Sequence, residues 1–376
     1  MHRGVASTDE LGRPNPGQAR LKLAASVEAV SVFRRHFVTL SLVSLASLRA
    51  QDGQASSPTP VRFGLDWSAT GAHAPYFAAA ARGLFQRRGL QVTIEPGAGA
   101  ADAVERVATG KTEFGIADLS AIIRHNARHP DHAVTAFYIV HDRSPLSVVT
   151  LSRNNIAHPR HLEGRTIGAP EGEAGRTMFP VFARAAGFDA AKVSWRTTEA
   201  RLRESELVAG TVDAITGFST TAPFLVLQGV PSSEIRVLQY ADYGLDHYST
   251  AVFTTASRIA QQRPLAVAFA QAIDEGMRWS MSSPEEAVEV LSRSNPRIVK
   301  DVESRRLKTT IRQLMVTPAT QANGLASVDP PRLQRMIEDV CSSLGAAAPR
   351  PPSRQVFEPA IAPSRLPAMP WLESRR

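Results

Sequence analysis

Apolar residues at Val61, Phe63 and Leu65 alternate with polar neighbours, the period of a half-buried strand. The rhythm then changes. Residues 66–73 are polar and aromatic, and beyond them Tyr76, Phe77, Ala80, Leu84 and Phe85 fall at i, i+1, i+4, i+8 and i+9, one face of a helix. Gly89 ends that helix and residues 90–94 return as a strand. The alternation continues with a helix carrying Val104, Val107 and Ala108, a strand at 113–116, a helix to 128 and an apolar run at 133–140. A strand at 147–151 opens a second series, with strands at 166–169, 193–196, 212–216 and 235–238 and helices at 176–186, 199–209 and 221–228. After an alternating strand at 249–254 the chain is mainly helical, punctuated by Pro264, Pro284 and Pro296. Strands separated by helices over short connections predict an α/β fold with mostly parallel sheets flanked by helices.

In such sheets ligands bind beyond the carboxyl ends of strands, so the loops there carry the candidate chemistry. The first holds Asp66, Trp67 and His73: an indole can stack on a flat ring while a carboxylate or imidazole bonds its edge. The second holds Asp118 and Ser120, which read equally as a helix N-cap. The third, 171–175, offers Glu171, Glu173 and the backbone at Gly175; the fourth offers Phe218 and Ser219. Asp242, Tyr243 and Tyr248 would add an aromatic wall. Acids and aromatics outnumber cations at these positions. A neutral or weakly basic ring fits them better than an anion, because burying like charges together is costly.

Other motifs fall away. Gly97 and Gly99 form a G-x-G, but Asp102 stands where a dinucleotide site needs Gly or Ala. Gly110-Lys111-Thr112 ends like a phosphate loop, yet Glu105 replaces its first glycine and the segment closes a helix. Pro130 interrupts His125, His129 and His132, which read as solvated, as do His158 and His161. No cofactor and no metal is expected. Cys341, beside Met336, Ile337, Val340 and Leu344, reads as core, and a lone cysteine excludes a disulfide framework.

A length of 376 residues suggests two ordinary domains, and 43% hydrophobic with 21% charged residues is globular. The net charge of +8 comes from scattered arginines. Only Arg305-Arg306 to Lys308 is dense, and it reads as a solvated face rather than a nucleic-acid footprint. At the start, Arg34 and Arg35 precede an apolar stretch, 38–48, and a small residue, Ala50, as in a secretory signal; the paired arginines match the twin-arginine subtype. Residues 346–376, rich in proline, predict an extended tail.

Leu65-Asp66-Trp67, His73, the Ala81-Arg82-Gly83-Leu84-Phe85 run and Arg88-Gly89-Leu90 together resemble the pyrimidine-precursor and sulfonate-type solute-binding proteins of ABC importers, a family that includes a thiamine-pyrimidine synthase branch. The resemblance runs to about residue 340. It implies a bilobed type II periplasmic-binding-protein fold, with two mixed sheets and a hinge between lobes. The implied domains are leader and linker at 1–60, lobe 1 at 61–145, lobe 2 at 146–248, a return to lobe 1 at 249–345, and the tail at 346–376. It implies a periplasmic monomer that takes a small solute from the cleft to an inner-membrane permease, with no nucleic-acid partner. The synthase branch carries a lysine and a histidine where this chain has approximately Ala117 and Ala121, and a cysteine-rich run where 243–250 has none. Without that amine no Schiff base to pyridoxal phosphate can form. Synthesis of the thiamine pyrimidine, or a clamshell sensor of nitrate or sulfonates, are the alternatives.

Overall fold

A computed structural model describes residues 57–373 except 200, 346, 360 and 362–364; the signal with Arg34 and Arg35 lies outside the described residues. Strand β1 (Thr59–Gly64) buries Val61 and Phe63 and feeds the 66–73 loop, from which α1 (Ala74–Ala81) starts with Pro75 in its first turn. There follow β2 (Leu90–Glu95), α2 (Ala100–Ala108), β3 (Phe114–Asp118), α3 (Leu119–Arg128) and β4 (Val134–Ile139). The chain then builds a second sheet from β5 (Leu146–Leu151), β6 (Thr166–Ala169), α4 (Ala174–Ala186), β7 (Ser194–Thr197), α5 (Arg203–Ala209), β8 (Ala214–Phe218), α6 (Ala222–Leu227) and β9 (Ile235–Gln239). It returns through β10 (Thr250–Thr255), which pairs antiparallel with both β3 and β4.

The sheet orders are β2-β1-β3-β10-β4 and β7-β6-β8-β5-β9. Each is a mixed five-stranded sheet, parallel on one side and closed by antiparallel pairing, so the α/β, two-lobed architecture is present. Segments 140–145 and 240–249 connect the lobes. Lobe 1 is completed by α7 (Ala256–Gln261), α8 (Arg263–Ser282), α9 (Pro284–Ser294), α10 (Lys300–Thr310), a π-helical stretch (Ile311–Met315), α11 (Pro318–Asn323) and α12 (Pro330–Ser342).

Lobe 1 packs one face of its sheet around Phe269 of α8, which stacks on Phe114 with centroids 4.0 Å apart and meets Phe63 edge-on at 5.2 Å. A second core is continuous across both lobes: Ile122 of α3, Phe182 of α4, and Leu333, Ile337 and Cys341 of α12 belong to it. Helix α12 therefore sits behind both connecting segments. Its Arg332 is buried and donates to the Asp142 carboxylate at 3.1 Å and to the Asp246 and His247 carbonyls at 3.0 and 3.3 Å, with its guanidinium 4.0 Å over Tyr248. One side chain thus ties the outgoing and returning segments together.

The tail differs from the extended segment that its prolines predict. Val356 and Phe357 are buried, Phe357 bridges Ala136 in parallel, and Glu358 N–H donates to the Ala136 carbonyl at 2.8 Å. Strand β4 is an edge strand whose free carbonyls accept that pairing. Proline lowers the entropy of the unfolded segment, so a few apolar anchors suffice to dock it.

Candidate functional site

Asp66 and Trp67 leave the end of β1, where Leu65 holds the turn in place. Arg106 of α2 donates to the Leu65 carbonyl at 2.7 Å and is itself paired with Asp102 at 3.2 Å. Gly97 lies so close that a Cβ there would come within 1.9 Å of the same carbonyl oxygen. This is the structural use of the first glycine in the G-x-G. His73 Nδ1 accepts from the Thr70 N–H at 3.1 Å, which leaves the ring proton on Nε2, 3.0 Å from Asp66 Oδ1. The imidazole thereby fixes the carboxylate. Trp67 is 37% exposed. No aromatic or cationic side chain among the described residues covers its ring.

These residues open onto a cavity of about 740 Å³ between the lobes. Lobe 1 lines it with Asp66, Trp67, His73, Tyr76, Asp118, His141, Thr250, Arg306 and Thr310. Lobe 2 lines it with Glu171, Glu173, Arg203, Glu204, Phe218, Thr220 and Phe224. The wall is built from the carboxyl ends of β1, β3, β6 and β8, as α/β topology dictates.

Several buried polar atoms of this wall have no hydrogen-bond partner: Tyr76 Oη, His141 Nδ1, Thr250 Oγ1, Arg306 Nη2 and Thr310 Oγ1. Each such atom costs about 1–3 kcal/mol when left unmatched. Burial, reinforced by Asp66, pushes the Tyr76 phenol well above its ordinary value, so it stays a neutral donor. Burial pushes His141 down to about 4, with Asp66 opposing and His73 assisting; its ring is neutral at pH 7.

The cations of the cleft are matched. Arg203 bonds Glu204 at 2.6 Å, Arg201 bonds Glu199 at 2.7 Å, and Arg306 pairs with Glu303 at 2.9 Å. The Arg306 guanidinium lies 4.0 Å over the Phe224 ring, from lobe 1 to lobe 2. The sequence reads Arg306 as part of a solvated basic face; the structure buries it and leaves Arg305 outside.

Other expected residues hold the frame. Asp118 caps α3, accepting from the Ser120 N–H at 2.9 Å, and takes the Ser249 hydroxyl at 2.6 Å, so its carboxylate is satisfied although it lines the cavity. Ser120 is buried behind it, bonded to the same carboxylate, and does not line the cavity. Glu173 caps α4 through the Arg176 N–H at 2.8 Å and accepts from Thr216 Oγ1 at 2.8 Å. Gly175 lies inside α4, its carbonyl taken by the Tyr240 hydroxyl at 3.0 Å, and Ser219 turns back to the Pro145 carbonyl through its N–H at 2.8 Å; neither lines the cavity.

Asp242 and Tyr243 are also outside it, because the returning segment runs behind the cleft rather than across it. Asp242 pairs with Arg143, and Tyr243 packs edge-on against Phe182 at 5.9 Å and His158 at 5.7 Å. Tyr248 is likewise taken up by Arg332. His141, two residues past β4, obeys the strand-end rule that picks out Asp66 and could have been found by it.

A sequence model of a family described as NMT1/THI5 like matches residues 70–287, more than half of the chain. The formylaminopyrimidine-binding protein of Halalkalibacterium halodurans is 26% identical over 281 residues, covering 73% of this chain and 83% of that protein. The 4-amino-5-hydroxymethyl-2-methylpyrimidine phosphate synthase of Aspergillus parasiticus is 24% identical over 248 residues, 62% of this chain and 70% of the enzyme. Among solved structures, the alkanesulfonate-binding protein SsuA of Xanthomonas axonopodis pv. citri, bound to MOPS, superposes with a TM-score of 0.63 at 14% identity, covering 81% of this chain and all of that one (100%). That likeness establishes the shared fold.

Proposed function

The chain belongs to the NMT1/THI5-like family, and on that premise we propose that it is the substrate-binding component of an ABC importer. In this reading it is exported to the periplasm, captures a small heteroaromatic solute of the pyrimidine kind between its lobes, and delivers it as a monomer to a membrane permease. The observation that carries the reading is an uncovered indole, Trp67, beside buried Tyr76, His141 and Thr250 atoms that lack partners. A flat ring with polar edges meets both needs: its face stacks on Trp67 and Phe218, and its edge bonds the unmatched atoms. Asp66, oriented by His73, accepts from a ring amine, and Glu171 and Glu173 present further acceptors from lobe 2.

The charge balance supports a neutral or weakly basic ligand, since the arginines that line the cavity already have carboxylate partners. This disfavours nitrate or a sulfonate. The synthase alternative is supported by the similarity to the Aspergillus enzyme. It lacks a lysine among the described residues lining the cleft, where pyridoxal phosphate would need an amine. The Ala117 and Ala121 positions are buried and offer no nucleophile.

A thermal-shift panel of thiamine pyrimidines, flavins, sulfonates and nitrate tests the reading. A ligand at about a hundredfold its Kd adds about 2.7 kcal/mol of stability, enough to raise Tm by several degrees. A pyrimidine is expected to do so. A shift with sulfonate or nitrate and none with any ring compound would overturn the reading.

A further inference from the structure

Glu303 of α10 is 5% exposed and does not line the cavity, so its buried charge has a use other than touching a solute. Its Oε2 accepts the Gly71 N–H at 2.5 Å and pairs with Arg306 Nε at 2.9 Å. The guanidinium of Arg306, itself buried, lies 4.0 Å over the Phe224 ring of lobe 2. On the other side, Gly71 opens the short helical turn Gly71–His73, whose last residue donates from Nε2 to Asp66 Oδ1 at 3.0 Å. That close approach requires glycine. A Cβ on Gly71 would come within 2.1 Å of the Glu303 carbonyl oxygen, a backbone atom that cannot swing aside. The contacts therefore run from a ring on lobe 2 to the cleft carboxylate of lobe 1.

We infer that Glu303 and Arg306 are positioning residues, which aim the turn bearing His73, and with it Asp66, according to where lobe 2 stands. Phe224 holds Arg306, Arg306 orients Glu303, and Glu303 fixes the Gly71 N–H. Asp66 thus takes its binding geometry when the lobes meet. This role rests on the reading of the cleft as the solute site, and it adds how the carboxylate of that site is set. Burial makes the relay stiff. A carboxylate and a guanidinium out of water offset their desolvation only in a narrow geometry, and displacing either leaves a bare buried charge. The ring is the part that lobe 2 supplies, attracting the cation through its face. Arg203 and Glu204, the lobe 2 charges that act on Arg306, are bonded to each other at 2.6 Å. A binding group acts at full strength only when its neighbours lock its geometry, and here that lock spans both lobes.

Hydrogen exchange at the Gly71 amide, followed by NMR in the full ligand-free chain, tests this, with calorimetric titration of 4-amino-2-methylpyrimidine-5-carboxamide beside it. Phe224→Leu, a change on the opposite lobe, is expected to speed Gly71 exchange about tenfold or more, the size of a loosened bond to a charged group. Glu303→Gln keeps an acceptor but loses the charge, and should do the same. Each should weaken the probe about fivefold or more, although Glu303 does not line the cavity. Phe224→Tyr keeps the ring and should return both readings to near the native values. Combining Phe224→Leu with Glu303→Gln should cost well under the sum of the single losses, as for members of one network. Unchanged exchange at the amides of β3 and α8 reports that each variant is folded. Gly71 exchange unaltered by Phe224→Leu, or affinity losses that simply add, would overturn the relay while leaving the ring site standing. A native chain that ignores the probe but binds nitrate or a sulfonate would overturn the ring reading, and Gly71 exchange then still decides the relay.

Discussion

At the scale of single residues, burial holds two groups of the cleft, Tyr76 and His141, in their neutral forms. His141 gives the clearest consequence. Its folded value is pushed to about 4 from an ordinary 6.5, so between those limits the unfolded chain binds more protons than the folded one. The stability it allows is complete above pH 6.5, falls as pH drops through the window, and levels off below about pH 4. The difference corresponds to a penalty on the order of 3 kcal/mol. Urea unfolding at pH 7 and pH 4.5 should therefore show a steeper loss for the native chain than for His141→Asn; parallel losses would contradict the burial of a neutral ring. Asp66, Trp67 and His73 were legible because a strand of alternating residues runs straight into them. Arg306 was not, because its neighbours Arg305 and Lys308 give the stretch a solvated look. The usable signal was subtler: Val302, Arg306 and Thr310 share a helical face with Leu307, and an arginine on an apolar face is buried and paired.

At the scale of elements, the strong apolar periods mark most strands and helices to within a few residues, but α1 ends at Ala81 rather than running to Gly89, because Gly83 turns the chain with φ +68°. The sequence reading misplaces the returning segment. Asp242, Tyr243 and Tyr248 look like a ligand wall, yet nothing local says on which side of the sheets a connection passes. That is decided by α12, about ninety residues on, whose Arg332 draws 142 and 246–248 together at the back. The tail departs from the expected extended form for a related reason: its prolines are visible in the sequence, whereas the open edge of β4 that receives it is a property of the sheet. Arg332→Ala leaves the Asp142 carboxylate buried without its cation, and breaking such a pair costs about 3–5 kcal/mol. Equilibrium denaturation should show a loss of that size. A loss below about 1 kcal/mol would mean that α12, not its arginine, holds the two segments.

At the scale of the whole molecule, two sheets of matching order face each other across a cleft, and α12 joins them behind it through a continuous core. In front, Arg306 of lobe 1 lies over the Phe224 ring of lobe 2. Two lobes joined by two connecting segments suit closure upon a solute, the motion by which hinged lobes sequester ligands. Capture in this cleft places the ring of the solute against Trp67. A crystal structure of the chain with 4-amino-2-methylpyrimidine-5-carboxamide is expected to show the pyrimidine between the lobes, its centroid about 4.5–7 Å from the Trp67 indole and its edge on Asp66 and Tyr76. A ring bound anywhere else, with the Trp67 face left bare, would contradict it.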